Sequence, residues 1–205
     1  RYHVNVILQC EEGYYIADDA ELDAYVNGEK AYVSARDGDR TTLTVGYSVP
    51  VASGVRGQVE SFLDGSYVTV ALFADGSAQP QYTATVPAGE KSGEKYTAVY
   101  DIPEVAAGTY TVQVSKKNHV TREYTVTVSG DTKTLDIRIH LLGDVNLDGI
   151  VNIKDCSRLF KHVNKTQLLT DPYALKCANT NADTTVNIKD CSRLFKHVNK
   201  TQPLW

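Results

Sequence analysis

The chain has no methionine and a single tryptophan, Trp205, and among its 205 residues there are only four phenylalanines and four cysteines. The missing methionine, initiator included, suggests a segment of a longer protein, with any targeting signal elsewhere. The opening Arg1-Tyr2-His3-Val4-Asn5-Val6 does not read as a signal peptide. No stretch of about 18 apolar residues occurs, so neither a membrane-spanning helix nor membrane insertion is expected. A basic excess is also missing. Lys plus Arg is 21 against 25 Asp plus Glu, a net charge of −4, which leaves nothing to neutralise phosphates and excludes a nucleic-acid partner. No Gly-x-Ser-x-Gly elbow or His-Glu-x-x-His pair is present, and His3, His119 and His140 stand in unrelated contexts, so we expect no enzyme activity. The cysteine spacing matches neither a disulfide framework nor a zinc site.

What is present divides the chain near residue 142. Residues 143–205 carry nine basic and six acidic side chains, leaving 12 basic and 19 acidic ahead of them, and 12 of the 13 tyrosines precede residue 125. That first part alternates with period two. Val68, Val70 and Leu72, then Tyr110, Val112 and Val114, then Leu135, Ile137, Ile139 and Leu141 point one way, with Asp136, Arg138 and His140 pointing to solvent. Asn27-Gly28, Asp37-Gly38, Asp64-Gly65 and Asp75-Gly76 supply hairpin turns between the strands. An all-β sandwich region follows. The Pro50–Gly57 stretch separates a short module (1–50), truncated or joined to its neighbour, from a fuller sandwich (51–141). The motifs Val105-Ala106-Ala107-Gly108-Thr109-Tyr110 and Lys117-Asn118-His119-Val120 in the second resemble prealbumin-like, carboxypeptidase-regulatory sandwiches. Gly13-Tyr14-Tyr15 and Val26-Asn27-Gly28 in the first resemble an Ig-like repeat of bacterial surface proteins. Asp18, Asp19, Glu21 and Asp23 read as a solvated acidic hairpin. Exposed tyrosines leave open a second reading, in which the β region binds polysaccharide.

The strongest pattern lies in the last 63 residues. Residues 151–167 recur without change at 186–202, seventeen identities at an offset of 35, which marks a duplicated structural unit. Each copy follows oxygen-bearing residues at alternating positions. In the first loop Asp144, Asn146, Asp148, Asn152 and Asp155 occupy positions 1, 3, 5, 9 and 12, with Gly149 at position 6 for the sharp turn and the Ile150 carbonyl at position 7. That order suits a hard cation such as Ca²⁺. The second loop has Asn179, Asn181, Asp183, Thr185, Asn187 and Asp190 at the same positions. It carries two carboxylates where the first has three, and Thr184 where positive φ is expected, at a cost of about 1 kcal/mol or more. Two calcium sites are therefore expected, the second weaker.

Two such loops, each with Asp at position 12 and each followed by one helix, resemble the dockerin module of cellulosomes over 142–205. The resemblance implies a multi-domain chain, an all-β Ig-like sandwich region followed by a small all-α calcium-binding dockerin. It further implies a secreted, non-catalytic adaptor at the bacterial cell surface. Its partner would be a cohesin module of a scaffoldin in an extracellular polysaccharide-degrading complex, with the β region a spacer or stabiliser of X-module type. The parent protein could then be a glycoside hydrolase or a scaffoldin. Carried across, the cohesin-facing positions are Ile153, Lys154, Phe160, Lys161 and Lys165, then Ile188, Lys189, Phe195, Lys196 and Lys200. Arg158 and Arg193 flank them. An apolar anchor ringed by long basic side chains has the composition of a binding hot spot. Duplication implies that the partner can dock in two orientations about half a turn apart, with either phenylalanine alone sufficient.

Cys156, Leu159 and Val163 recur at i, i+3 and i+7, as do Cys191, Leu194 and Val198, and these stripes are expected to pack together as core. A Cys156–Cys191 bridge stays open. His162 and His197 are expected on the helix surface, and Trp205 near Leu141 or Leu142, closing the module.

Overall fold

A computed structural model describes residues 2–14, 24–26, 29–36, 41–49, 53–63 and 65–205. The acidic cluster Asp18, Asp19, Glu21 and Asp23, the Asn27-Gly28 and Asp37-Gly38 turns, and Asp64 lie outside these residues. The chain divides into two compact units, Arg1–Ala52 and Ser53–Trp205.

The first unit is an antiparallel sheet of β1 (Tyr2–Gln9), β2 (Ala24–Val26), β3 (Glu29–Arg36) and β4 (Thr42–Val49) in the order β1-β4-β3-β2. The β3–β4 pairing shifts register between Val33 and Ala35, the local signature of a bulge. Leu43 and Val45 of β4 are buried.

The second unit opens with two facing sheets. One has the order β11-β10-β6-β7, from β6 (Val68–Ala74), β7 (Tyr82–Val86), β10 (Gly108–Lys116) and β11 (Arg122–Val128). The other runs β12-β5-β9-β8, from β5 (Val55–Phe62), β8 (Glu90–Ser92), β9 (Lys95–Ile102) and β12 (Lys133–Thr134), with β13 (Ile137–Arg138) also pairing in parallel with β5. The alternating apolar residues meet between the sheets. Val59, Val70, Leu72, Val112, Val114 and Ile139 are fully enclosed there, each a burial worth about 1.5–3 kcal/mol. At Asp75-Gly76 the expected hairpin turn forms, with Gly76 at φ +72°.

Three helices follow: α1 (Ile153–Val163), α2 (Pro172–Ala178) and α3 (Ile188–Val198). Their core gathers Val145, Cys156, Leu159, Leu169, Ala174, Cys191, Leu194 and Leu204, with Val163 and Val198 partly buried beside it. The predicted stripes therefore face inward. All four cysteines are free thiols, and no Cys156–Cys191 bridge forms.

Sandwich and helices share a seam. The Tyr173 hydroxyl donates to the Val120 carbonyl (2.7 Å) and accepts from His140 N–H (2.9 Å), while the Arg122 guanidinium lies 4.4 Å over the Tyr173 ring. This corrects the expectation for His140. It is buried, because the helices supply a second surface where strand periodicity alone predicts water.

Candidate functional site

Both loops are built by their own side chains. In the first, Asp144 sits fully buried as a fixed acceptor: Oδ1 receives Asp148 N–H (3.1 Å), and Oδ2 receives Gly149 N–H (2.9 Å) and His140 Nδ1 (2.7 Å). Asp155 accepts Val145 N–H (2.8 Å) and Asn146 N–H (3.1 Å) at Oδ1 and Asn152 N–H (2.8 Å) at Oδ2. Asn152 also N-caps α1, accepting from Lys154 N–H, so loop positions 9 and 12 form a capping box at the start of the helix. The same box recurs at Asn187 and Asp190 on α3. One set of oxygens thus closes the loop and starts the helix.

The loops diverge at positions 1 and 6. Gly149 takes φ +91°, and a Cβ there would run into the Phe62 ring from the sandwich. Thr184, its counterpart, does not take the left-handed conformation. Both loops share a positive φ at position 4, Leu147 (+60°) and Ala182 (+58°), and only loop one adds a second at position 6. The expected strain at Thr184 is therefore absent, because its backbone does not adopt positive φ. Asn179 Nδ2 donates to the Asp183 carbonyl (2.6 Å), and Asn179 Oδ1 is left buried with no partner.

A buried oxygen left without a partner, on the first residue of a loop rich in oxygen-bearing side chains, is what a cation would satisfy. Among the described residues no cluster of three His, Cys, Asp or Glu side chains forms a metal site. Each loop instead offers carboxylate, amide and carbonyl oxygens, the mixed donor set of calcium. Burial, with the nearby Asp144 charge, pushes Asp155 up to about 6 against its backbone hydrogen bonds, a penalty that a divalent cation would offset. The residues present fit Ca²⁺. Asp144, Asn146, Asp148, the Ile150 carbonyl, Asn152 and Asp155 would hold it in loop one. Asn179, Asn181, Asp183, Thr185, Asn187 and Asp190 would do so in loop two.

Between the helices, Ile153, Cys156, Ser157 and Phe160 of α1 meet Ile188, Cys191, Ser192 and Phe195 of α3 around one apolar groove of about 400 Å³. The two copies are equally open: Ile153 and Ile188 are 58% and 57% exposed, Phe160 and Phe195 53% and 52%. Lys154, Lys161, Lys165, Lys189, Lys196 and Lys200 are exposed on the same two repeats. Arg158 is placed differently. Its guanidinium donates to the Gln167 (2.7 Å) and Leu168 (2.8 Å) carbonyls, holding the segment after α1, and its counterpart Arg193 is half-buried.

The histidines are not free surface groups. His162 Nδ1 accepts Leu169 N–H (3.0 Å) and His197 Nδ1 accepts Leu204 N–H (3.1 Å), so each pins the segment after its helix. Burial holds His197 below its usual pKa. Trp205 packs on the His197 ring at 4.5 Å and shares a cavity wall with Leu141, while Leu204 enters the core. Sequence reasoning missed both His140 and Tyr173 as the seam between sandwich and loop. Neither residue sits in a motif, and only the fold brings them together.

These features define a class: a β-sandwich joined to a duplicated loop and helix module. Residues 142–199 match the family model of the dockerin type I domain, a little over a quarter of the chain. The chain is similar to two solved cohesin–X-dockerin complexes from Acetivibrio cellulolyticus. One is an N-terminal interface mutant of a type II complex (23% identity, TM-score 0.32) and the other a C-terminal interface mutant (22%, 0.31). Each match covers 71% of this chain and 94% of the other. No curated protein sequence matches.

Proposed function

We propose that the dockerin segment is a calcium-dependent plug that docks on a cohesin module of a scaffoldin. In this way it fixes its parent protein in an extracellular, cellulosome-like complex on the bacterial surface. The observation that carries this reading is the apolar groove between α1 and α3. Monomeric proteins seldom leave two phenylalanines and two isoleucines open around one hollow, and such a patch rimmed by long cations marks a protein interface. Calcium in the two loops would set the starting turns of both helices and hence the width of the groove. The sandwich acts as stabiliser and spacer, supported by its hydrogen-bonded seam with the helices; the chain itself is a non-catalytic adaptor.

The shared groove favours a different docking prediction from the one the duplication implied, in which either phenylalanine alone suffices. Because both phenylalanines line one hollow, a partner seated there touches both in either orientation. Phe160→Ala and Phe195→Ala should then weaken binding by similar factors, and the double variant should abolish it. Calorimetric titration of the intact chain against a panel of cohesins, with Ca²⁺ and with chelator, tests the reading. Capture only in Ca²⁺ is expected, and equal capture under chelator contradicts it.

A further inference from the structure

We propose that His140, contributed by the β-sandwich, is a positioning residue for the first calcium loop, so that the sandwich forms part of that site. The inference rests on the calcium reading above. Asp144 holds position 1 with three donors, two from the loop itself and the third from His140 Nδ1 at 2.7 Å, both residues being almost wholly buried. His140 is itself clamped. The Phe62 ring lies 5.1 Å from it, the Tyr173 ring 6.1 Å away, and the Tyr173 hydroxyl accepts its backbone N–H. Phe62 also occupies the space over Gly149, the position-6 turn. One aromatic side chain of the sandwich therefore backs both the turn and the residue that orients the first ligand.

The second loop has no counterpart. Thirty-five residues after His140 stands Leu175, which has no side-chain donor, and Asn179 Oδ1 is the buried oxygen without a partner. Thr184, in place of Gly149, is exposed. Within an otherwise duplicated module, loop one is the copy that the sandwich completes. Partners that orient a ligand typically change metal affinity about 10–100-fold when removed, because the free site must then pay to align its ligand.

The test is a calcium titration of the full chain followed by NMR at the Gly149 and Thr184 amides, one reporter in each loop. His140→Leu should weaken loop one about 10–100-fold and leave loop two unchanged. His140→Asn, whose amide nitrogen can stand near the Nδ1 position, should recover most of the loss. Phe62→Leu, which unclamps the imidazole, should weaken loop one by a smaller factor and stands in if His140→Leu does not fold. Arg122→Ala loosens the same seam without touching Asp144, and should lower the melting temperature while leaving both affinities in place. Equal weakening of both loops, no weakening of loop one in His140→Leu or Phe62→Leu, or an Arg122→Ala effect on loop one as large as that of His140→Leu would overturn the proposal. If the unsubstituted chain binds no calcium at either loop, the calcium reading fails and this inference falls with it; if it binds and the variants match it, only the inference fails.

Discussion

Asp144 and Asn179 occupy equivalent positions and live differently. The carboxylate is held by three donors, whereas the amide turns its nitrogen to the Asp183 carbonyl and strands its oxygen. Ligand charge count tunes calcium affinity, so Asn179→Asp should tighten loop two, on the order of tenfold, in a calorimetric titration. The turn at Gly149 and the loop that Asp144 and Asp155 close were legible because the order of oxygen-bearing residues is written locally in the chain. The fate of Thr184 was not, because the ligand order does not show that the second loop can close without a positive φ at position 6. At His197 the sign of the pH effect follows from geometry and burial. Nδ1 must be unprotonated to accept Leu204 N–H, and the folded-state pKa lies below 6.5. The neutral ring therefore contributes stability that is present above 6.5 and lost as pH falls through the lower folded value. Fluorescence of Trp205, the lone tryptophan, should report the loosening with a midpoint below 6.5, and His197→Gln should remove that transition. A midpoint at or above 6.5 would contradict it.

Each helix of the repeat begins where its loop ends, since Asn152 with Asp155, and Asn187 with Asp190, serve the loop and the cap together. Asn152→Ala should therefore do two things at once: lower helix stability by about 1 kcal/mol and weaken calcium at loop one. Thermal melts with and without Ca²⁺ separate the two effects. The helical stripes were readable from spacing, as Leu159 and Leu194 are fully buried and the phenylalanines beside them are open. Arg158 was harder to read. A cation beside an apolar anchor looks like part of the docking face until the fold brings the Gln167 and Leu168 carbonyls within its reach. Leu204 fills the core beyond α3, and Leu204→Ala should cost about 2 kcal/mol or more, seen as a lower melting temperature.

Across the whole second unit, sandwich and helices meet through Phe62, His140 and Tyr173. The β alternation predicted the inner layer of the sandwich well, because one face of each strand answers to one core. It failed at His140, where two layers compete for the same strand face. Chelation should accordingly lower the melting temperature of the helical segment more than that of the sandwich, resolved by near-ultraviolet and far-ultraviolet dichroism. In the proposed function, calcium shapes the α1–α3 groove into a cohesin-binding surface. The most direct test is calorimetric titration of the intact chain with cohesins in calcium and in chelator. Saturable binding is expected in calcium, lost under chelator and in the Phe160→Ala, Phe195→Ala double variant. Binding that survives both would contradict it.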